Sequence, residues 1–161
     1  MSSSVQNRQT HLPSQWHDAL ALLAQEGAAQ TLGMSTAVLD RLADQASALM
    51  SHGRVEAASA LLEQLTMLEG TNPRAPFLLG AARATSGDSL GAIAAYSEAF
   101  TRAVALEADG LCQRILFLRA QAFAELGEVG SARLDLQVAS TGSDPRICQM
   151  ADAWLKELEG L

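Results

Sequence analysis

The sequence predicts an all-α protein: three tandem helix pairs forming a curved α-solenoid, with an N-terminal leader helix and a C-terminal capping helix. Three observations lead there. The stretch Phe77 to Phe100, FLLGAARATSGDSLGAIAAYSEAF, reads as two short amphipathic helices joined by a tight turn at Gly87-Asp88. A pair of that size cannot bury its apolar face alone and needs copies stacked against it. The copies exist: turn glycines recur at Gly53 and Gly127, and an alanine follows each turn five residues later, at Ala58, Ala92 and Ala132. A small side chain there lets the second helix of a pair cross close to the first. Finally, hydrophobic residues make up 48% of the chain but aromatic residues only 4%, so the apolar mass is alanine and leucine. That composition favours closely packed helices over a sheet.

From Gly53 to Gly87 is 34 residues, the period of a tetratricopeptide repeat (TPR). Leu79, Gly80, Gly87, Ala92, Tyr96 and Ala99 fall where such a repeat places its large and small packing residues. From Gly87 to Gly127 is 40 residues, one period plus six. The extra residues fall near Val104 to Gln113, as a lengthened second helix of the middle pair or as a short loop.

Taken in order, residues 1–13 are polar and without periodicity and are expected to be flexible. Residues 14–35 form a leader helix and a link. Pro13 and Ser14 can start the helix, and Trp16, Leu20 and Leu23 give it an apolar stripe. That stripe packs either on the first repeat or on a second copy of the chain. Residues 36–143 hold the three repeats. In the first, Ser35 or Thr36 caps a helix reaching about Met50, with Leu39, Leu42, Ala46 and Leu49 inward, and a second helix spans about Val55 to Leu68. Asn72 and Pro73 punctuate the next start. The middle pair spans about Arg74 to Thr85 and Ser89 to Leu106. Asp109-Gly110 is a turn signal, so the third pair is expected over about Leu111 to Leu126 and Val129 to Ala139. Residues 144–161 form the capping helix, with Asp144 as N-cap, Pro145 in the first helical position and Trp154 as part of the lid.

Chemistry is conspicuous by what is missing. The chain has no phosphate-cradling loop, no nucleophile elbow, and no Cys/His spacing for a metal, so no catalytic, cofactor or metal site is expected and an enzyme is not predicted. His52 reads as a solvated turn residue, Tyr96 as core, and Cys112 and Cys148 as reduced, semi-buried thiols. A net charge of −7 argues against nucleic acid and against an anionic membrane surface. No apolar run is long enough to span a bilayer and the N-terminus has no secretory h-region, which gives a cytoplasmic reading without stable membrane insertion.

Three stacked pairs curve so that their first helices line a concave trough able to hold an extended peptide. By position in the repeat, the trough residues are Ala43, Ser47 and Met50 in the first pair, Arg74, Phe77, Ala81 and Ala84 in the second, and Arg114, Phe117, Gln121 and Ala124 in the third. Phe77 and Phe117 are either anchors in the trough or buried between helices.

From Trp16 onward the chain resembles the class II, TPR-containing chaperones of bacterial type III secretion, which serve the translocator proteins. GRVEAA, FLLGAARATSGD and AIAAYSEA carry the likeness best. The resemblance implies a cytoplasmic chaperone that binds an extended segment of hydrophobic translocator proteins in the concave groove. It would keep these clients, with their membrane-inserting segments, soluble and secretion-competent. It also maps homodimerisation to the Trp16, Leu20 and Leu23 stripe. The C-terminal stretch SARLDLQVASTGSDPRICQMADAWLKELEG is similar to chaperones of the type III needle subunit, and a general TPR adaptor is a third reading.

Overall fold

The structure is a computed structural model that describes residues 33–159; the leader helix and its Trp16, Leu20 and Leu23 stripe lie outside the described residues. Seven helices and no strand occur among the described residues: α1 (Thr36–Ser51), α2 (Val55–Leu68), α3 (Arg74–Thr85), α4 (Ser89–Ala105), α5 (Asp109–Glu125), α6 (Val129–Ala139) and α7 (Pro145–Glu159).

Each helix packs on the next through a short turn, and four of the six turns share one hydrogen-bond scheme. At Gly53, Gly87 and Gly127 the backbone is left-handed, with φ of 72°, 80° and 77°. The following amide reaches back to a carbonyl in the last turn of the helix: Arg54 to Leu49, Asp88 to Arg83 and Glu128 to Phe123, each at 2.9 Å. This is the Schellman closure, and glycine suits it because a Cβ at positive φ crowds the following carbonyl. The corner between α4 and α5 closes the same way, with Ala108 N–H donating to Ala103 O at 3.0 Å. There the left-handed residue is Glu107, at φ 53°.

The six additional residues of the middle interval are thus spent on helix. Both α4 and α5 are 17 residues long, against 14 and 12 in α2 and α3. The Asp109-Gly110 turn expectation is corrected: these residues open α5, whose acidic first residue suits the positive end of the helix dipole. The expected caps at Asn72 and Asp144 are formed and Asp88 adds a third, whereas Ser35 precedes α1 without a side-chain cap hydrogen bond, which corrects that expectation. Asp88 accepts from Gly91 N–H at 2.9 Å, Asn72 from Arg74 N–H at 2.9 Å, and Asp144 from Arg146 N–H at 2.9 Å.

Packing follows the small-residue positions. Ala58, Ala92 and Ala132 are fully buried where each even-numbered helix crosses its predecessor. Gly80 lets the Tyr96 ring lie against its backbone; a Cβ there would stand 2.5 Å from the ring. The odd-numbered helices α1, α3, α5 and α7 also meet one another in a row, whereas the even-numbered ones do not. The array therefore bends with the odd-numbered layer on its inner side.

Two buried polar side chains fasten successive pairs. Arg102 on α4 donates to Thr66 O at 3.0 Å, to Asn72 O at 3.1 Å and to Glu69 O, closing the C-terminus of α2 and the turn after it. Gln113 on α5 clamps the α6–α7 turn: its Nε2 donates to Ala139 O at 2.7 Å and its Oε1 accepts from Asp144 N–H at 2.8 Å. Arg119 and Asp135 form a bidentate pair at 2.7 and 2.8 Å inside the last pair, with the guanidinium stacked between Phe100 and Phe123.

Candidate functional site

The inner layer carries a chain of hollows that begins at α3 and runs to α7. The first, of about 310 Å³, lies between α3 and α5 over Ala81, Ala84, Leu118 and Gln121, with the Tyr96 ring in its floor. It shares Gln121 and Glu125 with the largest hollow, about 800 Å³ between α5 and α7, walled by Phe117, Ala124, Met150 and Trp154. Phe117 and Met150 continue into a third, of about 350 Å³, which ends at Arg114 and Arg146. The result is one trough with an apolar middle.

Sequence dictates that shape. On α7 the positions Ile147, Ala151 and Leu158 are buried, while Met150 and Trp154 form a second row beside them. That row turns toward α5 across the hollow. Phe117 and Trp154 meet edge to face, with centroids 6.0 Å apart. Such a contact stiffens both rings without closing the space between the helices.

The ends of the trough are charged oppositely. Glu125 and Glu157 stand at one end of the α5–α7 hollow, and Arg114 and Arg146, with Asp144, at the other. Among the described residues none of these two glutamates and two arginines joins an ion pair. Glu125 accepts a hydrogen bond from Ser89 Oγ at 2.5 Å. Glu125 and Glu157 sit in the last turns of their helices and Arg146 in the first turn of its own, the ends where the helix dipole disfavours those charges by a few tenths of a kcal/mol each. Helix stability does not account for them; a ligand running along the trough would use both.

Of the sequence-predicted trough residues, the structure brings Ala81, Ala84, Arg114, Phe117, Gln121 and Ala124 together along these hollows. Ala43 is corrected. It is 3% exposed and clusters with Ala75 and Leu79, because its small side chain sits where α1 and α3 come together. Arg74 spans from α3 to Asp40, at 3.2 Å, and to Asp44 on α1. Phe77 is half-buried against Tyr96, with ring centroids 6.2 Å apart, and lines none of the hollows. Ser47 and Met50 are likewise half-buried outside them, Ser47 Oγ donating to Ala43 O at 3.1 Å. Met150, Trp154, Glu125 and Glu157 were missed. Their signal was present as Met150, Trp154 and Glu157 at i, i+4 and i+7, a second stripe beside the buried one.

Titration is perturbed at the floor of the trough. Burial, with Glu125 nearby as the lesser cause, pushes the Tyr96 phenol up to about 12. The group is therefore neutral and packs as an aromatic wall. No helix among the described residues is long and apolar enough to cross a membrane.

No protein-family profile matches the sequence, and no curated protein matches it. Solved structures do. The translocator chaperone SycD of Yersinia enterocolitica superposes with a TM-score of 0.69 at 23% identity, covering 84% of this chain and 98% of SycD. A type III secretion complex from Aeromonas hydrophila gives 0.77 at 21% identity over 89% of this chain and 95% of the matched one. PcrH, in complex with the chaperone-binding region of PopD, gives 0.69 at 22% identity over 80% of this chain and 96% of PcrH. SycD has also been crystallised with a peptide of the translocator YopD. The chain has the all-helical, TPR-like fold of the type III secretion translocator chaperones.

Proposed function

We propose that the chain is a cytoplasmic type III secretion chaperone that holds an extended segment of a hydrophobic translocator protein in its trough and performs no catalysis. The observation that carries this reading is the open α5–α7 hollow, apolar in the middle and oppositely charged at its ends, on the inner layer of a fold shared with SycD and PcrH. A leucine- or methionine-sized client side chain seated against Phe117, Met150 and Trp154 gains about 1.5–3 kcal/mol from burial. Gln121, exposed between two hollows, offers a donor and an acceptor to the client backbone. The charged ends give the segment a direction, with its cations toward Glu125 and Glu157 and its anions toward Arg114 and Arg146. Coverage of apolar client segments is what keeps such proteins from aggregating before secretion.

Co-expression with the proteins encoded beside this one, followed by purification and mass spectrometry, tests the proposal. The expected result is a soluble complex with a protein that carries membrane-inserting segments and is insoluble alone. Recovery of a small helical needle subunit, or of folded soluble partners only, would replace the translocator with that client.

A further inference from the structure

A second cleft lies on the other side of α5, facing the even-numbered helices. It has a volume of about 580 Å³ and is formed where the lengthened ends of α4 and α5 overhang α6. Phe100 and Leu116 make its apolar floor, and Val104 and Val138, 53% and 58% exposed, stand at its sides. Its charged lining is acidic only: Glu107 and Asp109. No cation among the described residues lines it.

Glu107 is the informative residue. It occupies the left-handed position that glycine holds at the three other Schellman turns. Glycine would adopt that backbone without strain, whereas here the left-handed position sets a carboxylate at the mouth of an apolar cleft. A neutral or anionic occupant would gain nothing from it. An apolar side chain followed by a lysine or arginine would fill the floor and meet both carboxylates.

We infer that this corner is a second protein-binding site, separate from the trough, which takes a partner segment with an apolar side chain next to a cation. The site stands on its own geometry and does not depend on what the trough holds.

The test uses the full chain, isotope-labelled, titrated with the peptide acetyl-Gly-Leu-Lys-Lys-Gly-amide and with its Glu-Glu analogue. Saturable shifts are expected at the Val104 and Val138 amides with the lysine peptide, at least about fivefold weaker with the analogue because like charges oppose it. Glu107→Gly should weaken the lysine peptide about three- to tenfold while the melting temperature rises by about 2–4 °C as the turn strain is relieved. Val138→Lys, at an exposed position, should abolish binding and leave the fold intact. Absence of saturable shifts at this corner, shifts confined to Phe117 and Trp154, equal binding of the two peptides, or unchanged binding by Val138→Lys would overturn the site. So would a Glu107→Gly variant that is more stable and binds as the original chain does.

Discussion

The inner layer treats its two ends differently. Between α1 and α3 the helices come together over Ala43, and Arg74 bridges the seam to Asp40 and Asp44. Between α5 and α7 the corresponding seam opens into a hollow walled by Phe117, Met150 and Trp154. Both seams join neighbouring odd-numbered helices of the same array. What differs is side-chain size and charge: alanine and an ion-bridging arginine line one seam, while bulky apolar residues line the other, with glutamates and arginines at its ends that join no ion pair among the described residues. A repeat scaffold can thus carry an open hollow at one seam of its inner layer and a closed seam at the other.

The largest expected effect tests whether the closed end is held as a unit with the rest. Arg102 is 9% exposed and satisfies three carbonyls at the end of α2 and the following turn. Arg102→Met keeps much of the volume but leaves those acceptors without their donor. A loss of about 2–4 kcal/mol is expected, read as a fall in melting temperature of roughly 5–15 °C. A loss below about 1 kcal/mol would mean that water replaces the guanidinium and the first pair is only loosely tied to the second.

Next in size is the asymmetry in binding. Trp154→Ala should weaken client binding by about 1–3 kcal/mol, whereas Met50→Ala, outside the hollows, should leave it within about 0.5 kcal/mol. Titration calorimetry with the co-purified client segment measures both. Equal losses at the two positions would spread the site along the whole layer and remove the contrast between the ends.

Much of the fold was legible because its punctuation is local. Gly53, Gly87 and Gly127 mark turns by backbone conformation, and Ala58, Ala92 and Ala132 mark crossings by size, so both speak from the residue itself. The fourth corner was misread because Glu107 does a glycine's work while the genuine Asp109-Gly110 pair begins a helix. The trough was half legible. Repeat position found Phe117, Gln121 and Ala124, but it placed Ala43 on the surface, since the distance between α1 and α3 is set by the side chains of both helices. Trp154 was read as lid because one helix pattern cannot show that its neighbour leaves a gap beside it.

The floor between the two ends gives a pH prediction. Tyr96 is the chain's one tyrosine, so tyrosinate absorbance reports this site alone. Its pKa is raised from 10.0 to about 12 in the fold, so the folded state holds the proton more tightly than the unfolded chain. Its contribution to stability is complete below pH 10.0 and is lost as pH rises from there to about 12. Stability should fall across that window in the natural chain and fall less in Tyr96→Phe, measured by denaturant unfolding. Parallel curves would show that the phenol ionises freely and that the floor of the α3–α5 hollow is wetter than its packing against Gly80 implies.

The smallest effect sharpens the comparison most, because it separates closing a seam from stabilising a fold. The Arg74 side chain is 38% exposed, and Asp40 and Asp44 are more so, at 54% and 67%. Solvent screens such pairs, and Arg74→Ala should cost less than about 1 kcal/mol, with the difference shrinking further in high salt. The two carboxylates left on α1 then face α3 with no cation between them, and the seam beside Ala43 becomes acidic and more open. If the ion pair is what keeps ligands from this end, Arg74→Ala should let a lysine-bearing segment engage it. Met50→Ala, silent in the natural chain, would then weaken client binding in the Arg74→Ala background. If it stays silent there, the close approach of α1 and α3 over Ala43 is sufficient to close the seam, and the arginine only decorates it.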